Sequence, residues 1–284
     1  MNRLFVAYKP PHIGSNQFLG RLKRKYGVKK AGFSGTLDPF ACGCLIVAFG
    51  NYTKLFNHLQ KTPKTYRATM WLGVNSPSLD IENIESIEMV PKLDATLIQK
   101  TIESLKGQKS YTAPKFSAKR IRGKRAYDLA RANEAFTPPT LTATIYSAKF
   151  INYNHPFITF EVSVSEGTYI RSLCELVAQE LQVQATLSYL KRINEGKFFY
   201  EEEKSLDPMQ YLSMEQNYYE DLEWVLLGKK LEIEKLRNKE DGIYFIELDE
   251  HFSIIEVKEK KITYLKNRIT KSQERCLVDK VKSD

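Results

Sequence analysis

The chemistry-bearing part of this chain begins at Gly32-Phe33-Ser34-Gly35-Thr36-Leu37-Asp38-Pro39-Phe40-Ala41-Cys42-Gly43. It sets one carboxylate, Asp38, on a glycine-bounded turn. No acidic residue precedes it, whereas Arg3, Lys9, Arg21, Lys23, Arg24, Lys25, Lys29 and Lys30 all do. Three readings of Asp38 are open. It can be a turn residue, because Asp bonds its own backbone and Pro fixes φ. It can be a metal ligand, although no cluster of His or Asp stands near it. It can be a nucleophile or general base that meets a polyanion, a role that needs partners elsewhere in the chain.

Further segments supply such partners. The run around Asp38 resembles the G-H-x-G-x-L-D-P-x-A-x-G signature of the TruB family of tRNA pseudouridine synthases. The similarity continues through Gly50-Asn51-Tyr52-Thr53-Lys54 and Lys64-Thr65-Tyr66-Arg67. It resumes at Ala113-Pro114-Lys115-Phe116-Ser117-Ala118 and Gly123-Lys124-Arg125-Ala126-Tyr127. Gly167-Thr168-Tyr169-Ile170-Arg171-Ser172 and Tyr189-Leu190-Lys191-Arg192 complete it, over roughly the first two thirds of the chain. Several blocks in family order are far more specific than any one of them.

What the resemblance implies is an α+β pseudouridine synthase fold: a mixed, mostly antiparallel sheet flanked by helices and RNA-binding loops. It implies isomerisation of a uridine in the T loop of tRNA, with Asp38 as the catalytic carboxylate. Arg171 would pair with Asp38 and keep it ionised, since a fixed guanidinium lowers a carboxylate's pKa. Tyr66 would stack on a base taken out of the RNA. Tyr169 and Leu190 would bound the same pocket, and Lys9 and Phe33 would contact substrate. Lys119, Arg120 and Arg122 would grip phosphates from an insertion over residues 108–135. The reaction needs no cofactor and no metal, and no obligate protein partner is implied. Two alternatives remain: a noncatalytic tRNA-binding protein or chaperone of the same fold, and a synthase with another RNA target.

Two positions depart from the family pattern. Phe33 stands where the signature has histidine, and Lys9-Pro10-Pro11-His12 lacks the glycine of an early Lys-Pro-x-Gly. Neither change removes a group the chemistry demands.

Composition fits an anionic partner: 43 Lys+Arg against 34 Asp+Glu give a net charge of +9 over 284 residues. Cys42, Cys44, Cys174 and Cys276 are scattered without zinc spacing and are expected to be reduced thiols. With no signal-like apolar core and no apolar run of spanning length, the expectation is a soluble cytoplasmic protein, not a membrane one.

The elements that must position these residues can be read from periodicity. Strands are expected over residues 4–8, 44–49, 66–72, 141–150 and 157–164. Helices are expected after Ser15 as a cap, from Thr53, after Asp94 as a cap with Leu97, Thr101, Ile102 and Leu105 inward, and from Arg171 to Leu181. The irregular alternation points to α+β. A catalytic domain over residues 1–220 and a small β region over 240–275 are expected. That second region carries strands at 243–248, 252–257 and 262–265, and loosely resembles a degenerate PUA-like domain.

Overall fold

The computed structural model describes residues 1–117, 119–121, 123–132 and 134–272. Arg122 and Cys276 lie outside the described residues.

Alternation of apolar and polar residues in Lys64–Leu72 and Phe157–Val164 buries every second side chain, as a strand with one face on a core requires. These two strands pair antiparallel at the centre of a nine-stranded sheet. From one edge the main path runs Arg3–Lys9, Cys42–Phe49, Ala185–Glu195, Lys64–Leu72, Phe157–Val164, Thr140–Asn154 and Gly107–Thr112. Its one parallel pairing along that path joins Lys191 to Cys42 and Arg192 to Gly43. Gly43 makes that contact possible: at φ +108° a Cβ would lie 2.2 Å from the Arg192 carbonyl oxygen.

The helices Ala95–Glu103 and Ile170–Glu180 cover one face through Ile98, Ile102, Leu173 and Val177. Asp94 caps the former by accepting from the Leu97 N–H. Leu97, expected inward, is instead exposed, and Ile98 takes the buried place. The expected helix from Thr53 is a 3-10 helix over Gly50–His58. The helix Ser15–Lys25 packs Phe18 and Leu22 against Phe5, Leu45 and Val47. Its cap residue is Gly14; the Ser15 hydroxyl bonds both the Leu37 N–H and the Leu37 carbonyl, pinning the residue beside Asp38.

The opposite face of the first strands meets a second, four-stranded sheet through Leu4, Val6 and Ile46 against Phe245, Phe252 and Ile254. That sheet is built from Glu215–Asn217, Gly242–Glu247, His251–Lys258 and Lys261–Thr270. Its edge strand therefore comes from before residue 220. At His12, where the family pattern has glycine, φ is +60°, the left-handed region that costs a non-glycine residue about 1–2 kcal/mol. The turn keeps the glycine's conformation without the glycine.

Candidate active site

The loop between Ala31–Ser34 and Cys42–Phe49 delivers Asp38. Its turn is closed by the Ala41 N–H on the Asp38 carbonyl at 3.1 Å, while Ser15 holds Leu37. The carboxylate faces Arg171, in the first turn of Ile170–Glu180, with Nε 2.9 Å from Oδ2. Arg171 is buried and every side of its guanidinium is used. Nη1 donates to the Ser78 carbonyl at 2.7 Å and Nη2 to the Phe116 carbonyl at 2.9 Å. Nη1 also lies 3.4 Å from Asp80 Oδ2. One side chain thus joins the Asp38 loop, the loop at 76–80 and the segment around Phe116.

Asp80 is buried and braced by the Ser78 hydroxyl at 2.6 Å and the Glu82 N–H at 3.0 Å. Reading the sequence did not single it out, and nothing in its local pattern could have done so. It changes the electrostatics. Burial is the largest influence on Asp38 and pushes its pKa above the ordinary carboxylate value; Arg171 pulls it back and Asp80 pushes it up again. The net direction is therefore upward, the reverse of the expectation that Arg171 alone would set it. Glu82 is raised too, by burial and then by Asp80 and Asp38.

Asp38 and Arg171 form one side of a cavity of about 270 Å³ whose walls include Tyr66, Tyr169 and Leu190. Tyr66 and Leu190 come from adjacent strands, and Tyr169 directly precedes the Arg171 helix, its N–H bonded to the Tyr111 hydroxyl. A second cavity of about 580 Å³ shares Asp38 and Arg171 and reaches Arg125, Tyr127 and Arg131. Arg125 and Arg131 lie 5.7 and 5.5 Å from the Tyr127 ring. These three share a cavity wall with Asp38, whereas Lys119 and Arg120 are exposed on and beside a small hairpin and line neither cavity.

Two expected substrate contacts are placed elsewhere. Lys9 is fully buried, and its ammonium donates to the carbonyls of Ile13, Pro10 and Pro39 at 2.6, 2.9 and 3.2 Å. Burial lowers its pKa to about 8. With its donors spent on backbone, Lys9 shapes the loop beside Asp38 and lines neither cavity. Phe33 pairs with Val47 across the sheet and packs against the core under Ser15–Lys25, so it also stands off both cavities.

An arginine-paired aspartate on a loop beside an aromatic-walled cavity, carried by this mixed sheet, has the architecture of a pseudouridine synthase. A Cbf5-Nop10-Gar1 complex shares it with a TM-score of 0.55 and 26% identity, over 70% of this chain and 50% of that one. The fold also matches an H/ACA RNP bound to a substrate RNA containing 2'-deoxyuridine, with a TM-score of 0.62, 19% identity, and 95% and 84% coverage. Residues 23–170 match the TruB family pseudouridylate synthase N-terminal domain, and the chain belongs to that family. Curated relatives called tRNA pseudouridine synthase B agree over nearly full length. The one from Nitratiruptor sp. is 57% identical over 95% of this chain and 98% of its own. That from Campylobacter jejuni is 50% identical over 95% and 100%. Among the described residues no helix is long and apolar enough to cross a membrane.

Proposed function

We propose that this chain isomerises uridine to pseudouridine in the T loop of tRNA, in the cytoplasm, with Asp38 as the nucleophile. The observation that carries the reading is the 2.9 Å Asp38–Arg171 ion pair at the side of the cavity walled by Tyr66 and Leu190. A flipped uridine entering there presents its base to Tyr66 and its ribose to Asp38. Tyr169 bounds the same space, and the relatives' names support tRNA as the RNA. The test is a map of pseudouridine in cellular tRNA with and without the protein. Loss confined to the T-loop uridine is expected; an unchanged T loop with loss elsewhere would assign another RNA target, and no loss would leave a noncatalytic tRNA chaperone.

The insertion's exposed Lys119 and Arg120, with Arg122 from outside the described residues, are assigned to phosphate contact in this reading. Such contacts position RNA without reading its sequence. Replacing Lys119 and Arg120 together should weaken binding to any tRNA. The log–log salt slope should fall in magnitude by about 0.7–0.9 for each phosphate no longer neutralised. An unchanged slope in filter-binding titrations would make the pair a solvated face. The C-terminal four-stranded sheet is assigned the place of a reduced PUA-like domain that extends the RNA footprint.

A further inference from the structure

A buried charge cluster lies beside the catalytic cavity, and the chemistry assigned so far makes no use of it. Lys64 sits two residues before Tyr66 on the same strand, so both side chains leave the same face, and both line the cavity. The Lys64 ammonium lies 2.9 Å from Glu195 Oε2, and Arg192 Nη2 lies 2.9 Å from Glu195 Oε1. Glu195 is fully buried, Arg192 nearly so, and the Lys64 side chain is 7% exposed.

Three cations line this cavity among the described residues: Arg171, Arg192 and Lys64. Arg171 is held by Asp38, Asp80 and two carbonyls. Arg192 is committed as well, with Nε on the Cys44 carbonyl at 2.8 Å and Nη2 on the Gly35 carbonyl at 2.9 Å. Lys64 alone has ammonium donors to spare after its short ion pair, its next acid being the rim residue Glu166 at 3.9 Å. Two cations share one buried carboxylate, and the second charge is met only loosely, by the half-exposed Glu166 at the rim. Gly35, three residues before Asp38, makes room for the ammonium: a Cβ there would sit 2.8 Å from Lys64 Nζ.

We propose that Lys64 is a catalytic residue that stabilises the uracil anion formed when the glycosidic bond breaks. The inference rests on the reading that this cavity takes the target uridine. When the C1′–N1 bond breaks, its electron pair stays on uracil, spread over N1, O2 and O4, whichever way Asp38 meets the sugar. That charge develops against a wall of buried ionic groups, where a prepositioned donor is worth more than one free in water. A base stacked on Tyr66 has its edge beside Lys64, and the ammonium donates to a carbonyl oxygen of the anion. On rejoining, the same pair forms the C5–C1′ bond, C5 gives up its proton and N1 takes one up. Atoms and charge balance with no co-reactant. Glu195 aims the ammonium and is itself a positioning residue.

The test compares two T-arm RNAs, one with uridine and one with 5-fluorouridine at the target, whose fluorine stabilises the departing anion without the enzyme's help. Saturating single-turnover loss of the N-linked nucleoside is followed chromatographically. Lys64→Met should lose about 100-fold or more on uridine, the scale of one removed oxyanion donor. On 5-fluorouridine it should lose less than about ten-fold, and Lys64→Arg should retain part of the rate on both. Lys64→Gln, whose amide still bonds Glu195, serves if the methionine variant does not fold. Equal losses on the two RNAs, or no loss on uridine, overturn the proposal while the parent enzyme's turnover leaves the functional reading intact. A parent enzyme inactive on both RNAs overturns the two together.

Discussion

Asp38→Asn is expected to fold, bind tRNA with the parent affinity and make no pseudouridine. Asparagine keeps the shape and the turn, including the Asp38 carbonyl that accepts from the Ala41 N–H. It removes the carboxylate that Arg171 holds at 2.9 Å, the group the proposed reading sets against C1′. Loss of a nucleophile of this kind costs on the order of 10⁴-fold or more. Single-turnover conversion of a T-arm transcript should therefore fall to background, with a filter-binding dissociation constant unchanged within a few-fold. Clear residual turnover would remove Asp38 from the nucleophile's role. The parent enzyme carries a second signature of the same group. In that role the anion is the active form, and its pKa is raised, chiefly by burial and further by Asp80. The acid limb of the rate profile should thus fall away at higher pH than the ordinary aspartate value of about 3.9. An acid limb at or below that value would mean that bound RNA or Arg171 outweighs the burial.

Local pattern carried five of the seven strands on the main path and most of the longer helices, because alternation and helical spacing are properties of neighbouring residues; it missed Ala185–Glu195 and Gly107–Thr112. The family resemblance, rather than such pattern, singled out Asp38, Tyr66, Arg171, Tyr169 and Leu190, which the fold brings to one cavity. What local pattern could not carry is the direction of a charge or the partner of a distant one. Lys9 is expected to contact substrate, yet the chain turns its ammonium onto three carbonyls. Phe33 reads as a substrate contact because of the signature around it, but strand register packs it toward the core under the first helix. Asp80 matters through its tertiary contact with Arg171, and Lys64 and Glu195 through theirs with each other and with the Gly35 turn. Their own neighbourhoods carry no period and no spacing that announces it. Tyr127 differs, since Arg131 follows it by one helical turn and Arg125 lies two residues before it.

Arg171→Ala should harm chemistry more than affinity, because none of its contacts is placed to meet a phosphate. The side chain is buried, and its loss leaves the Ser78 and Phe116 carbonyls without their donor. It also leaves Asp38 and Asp80 facing each other without the cation between them. Removing one partner of a buried ionic network costs about 3–5 kcal/mol, so a lower melting temperature is expected alongside the kinetic loss. Of the forces on Asp38, the pull of Arg171 disappears while burial and Asp80 remain, so its pKa moves further up and the acid limb shifts to higher pH. That shift separates an electrostatic role from a merely structural one, which would scale the whole profile without moving it. Arg171→Lys should recover part of the rate, since an ammonium supplies the charge but not the planar fork that spans two carbonyls and two carboxylates. At saturating RNA the alanine variant should be slower by about 10²–10³-fold, the scale of removing one group that stabilises a transition state, with a dissociation constant changed only a few-fold. A raised dissociation constant with an unchanged bound rate would instead make Arg171 an RNA contact and leave Asp38 to be activated by something else.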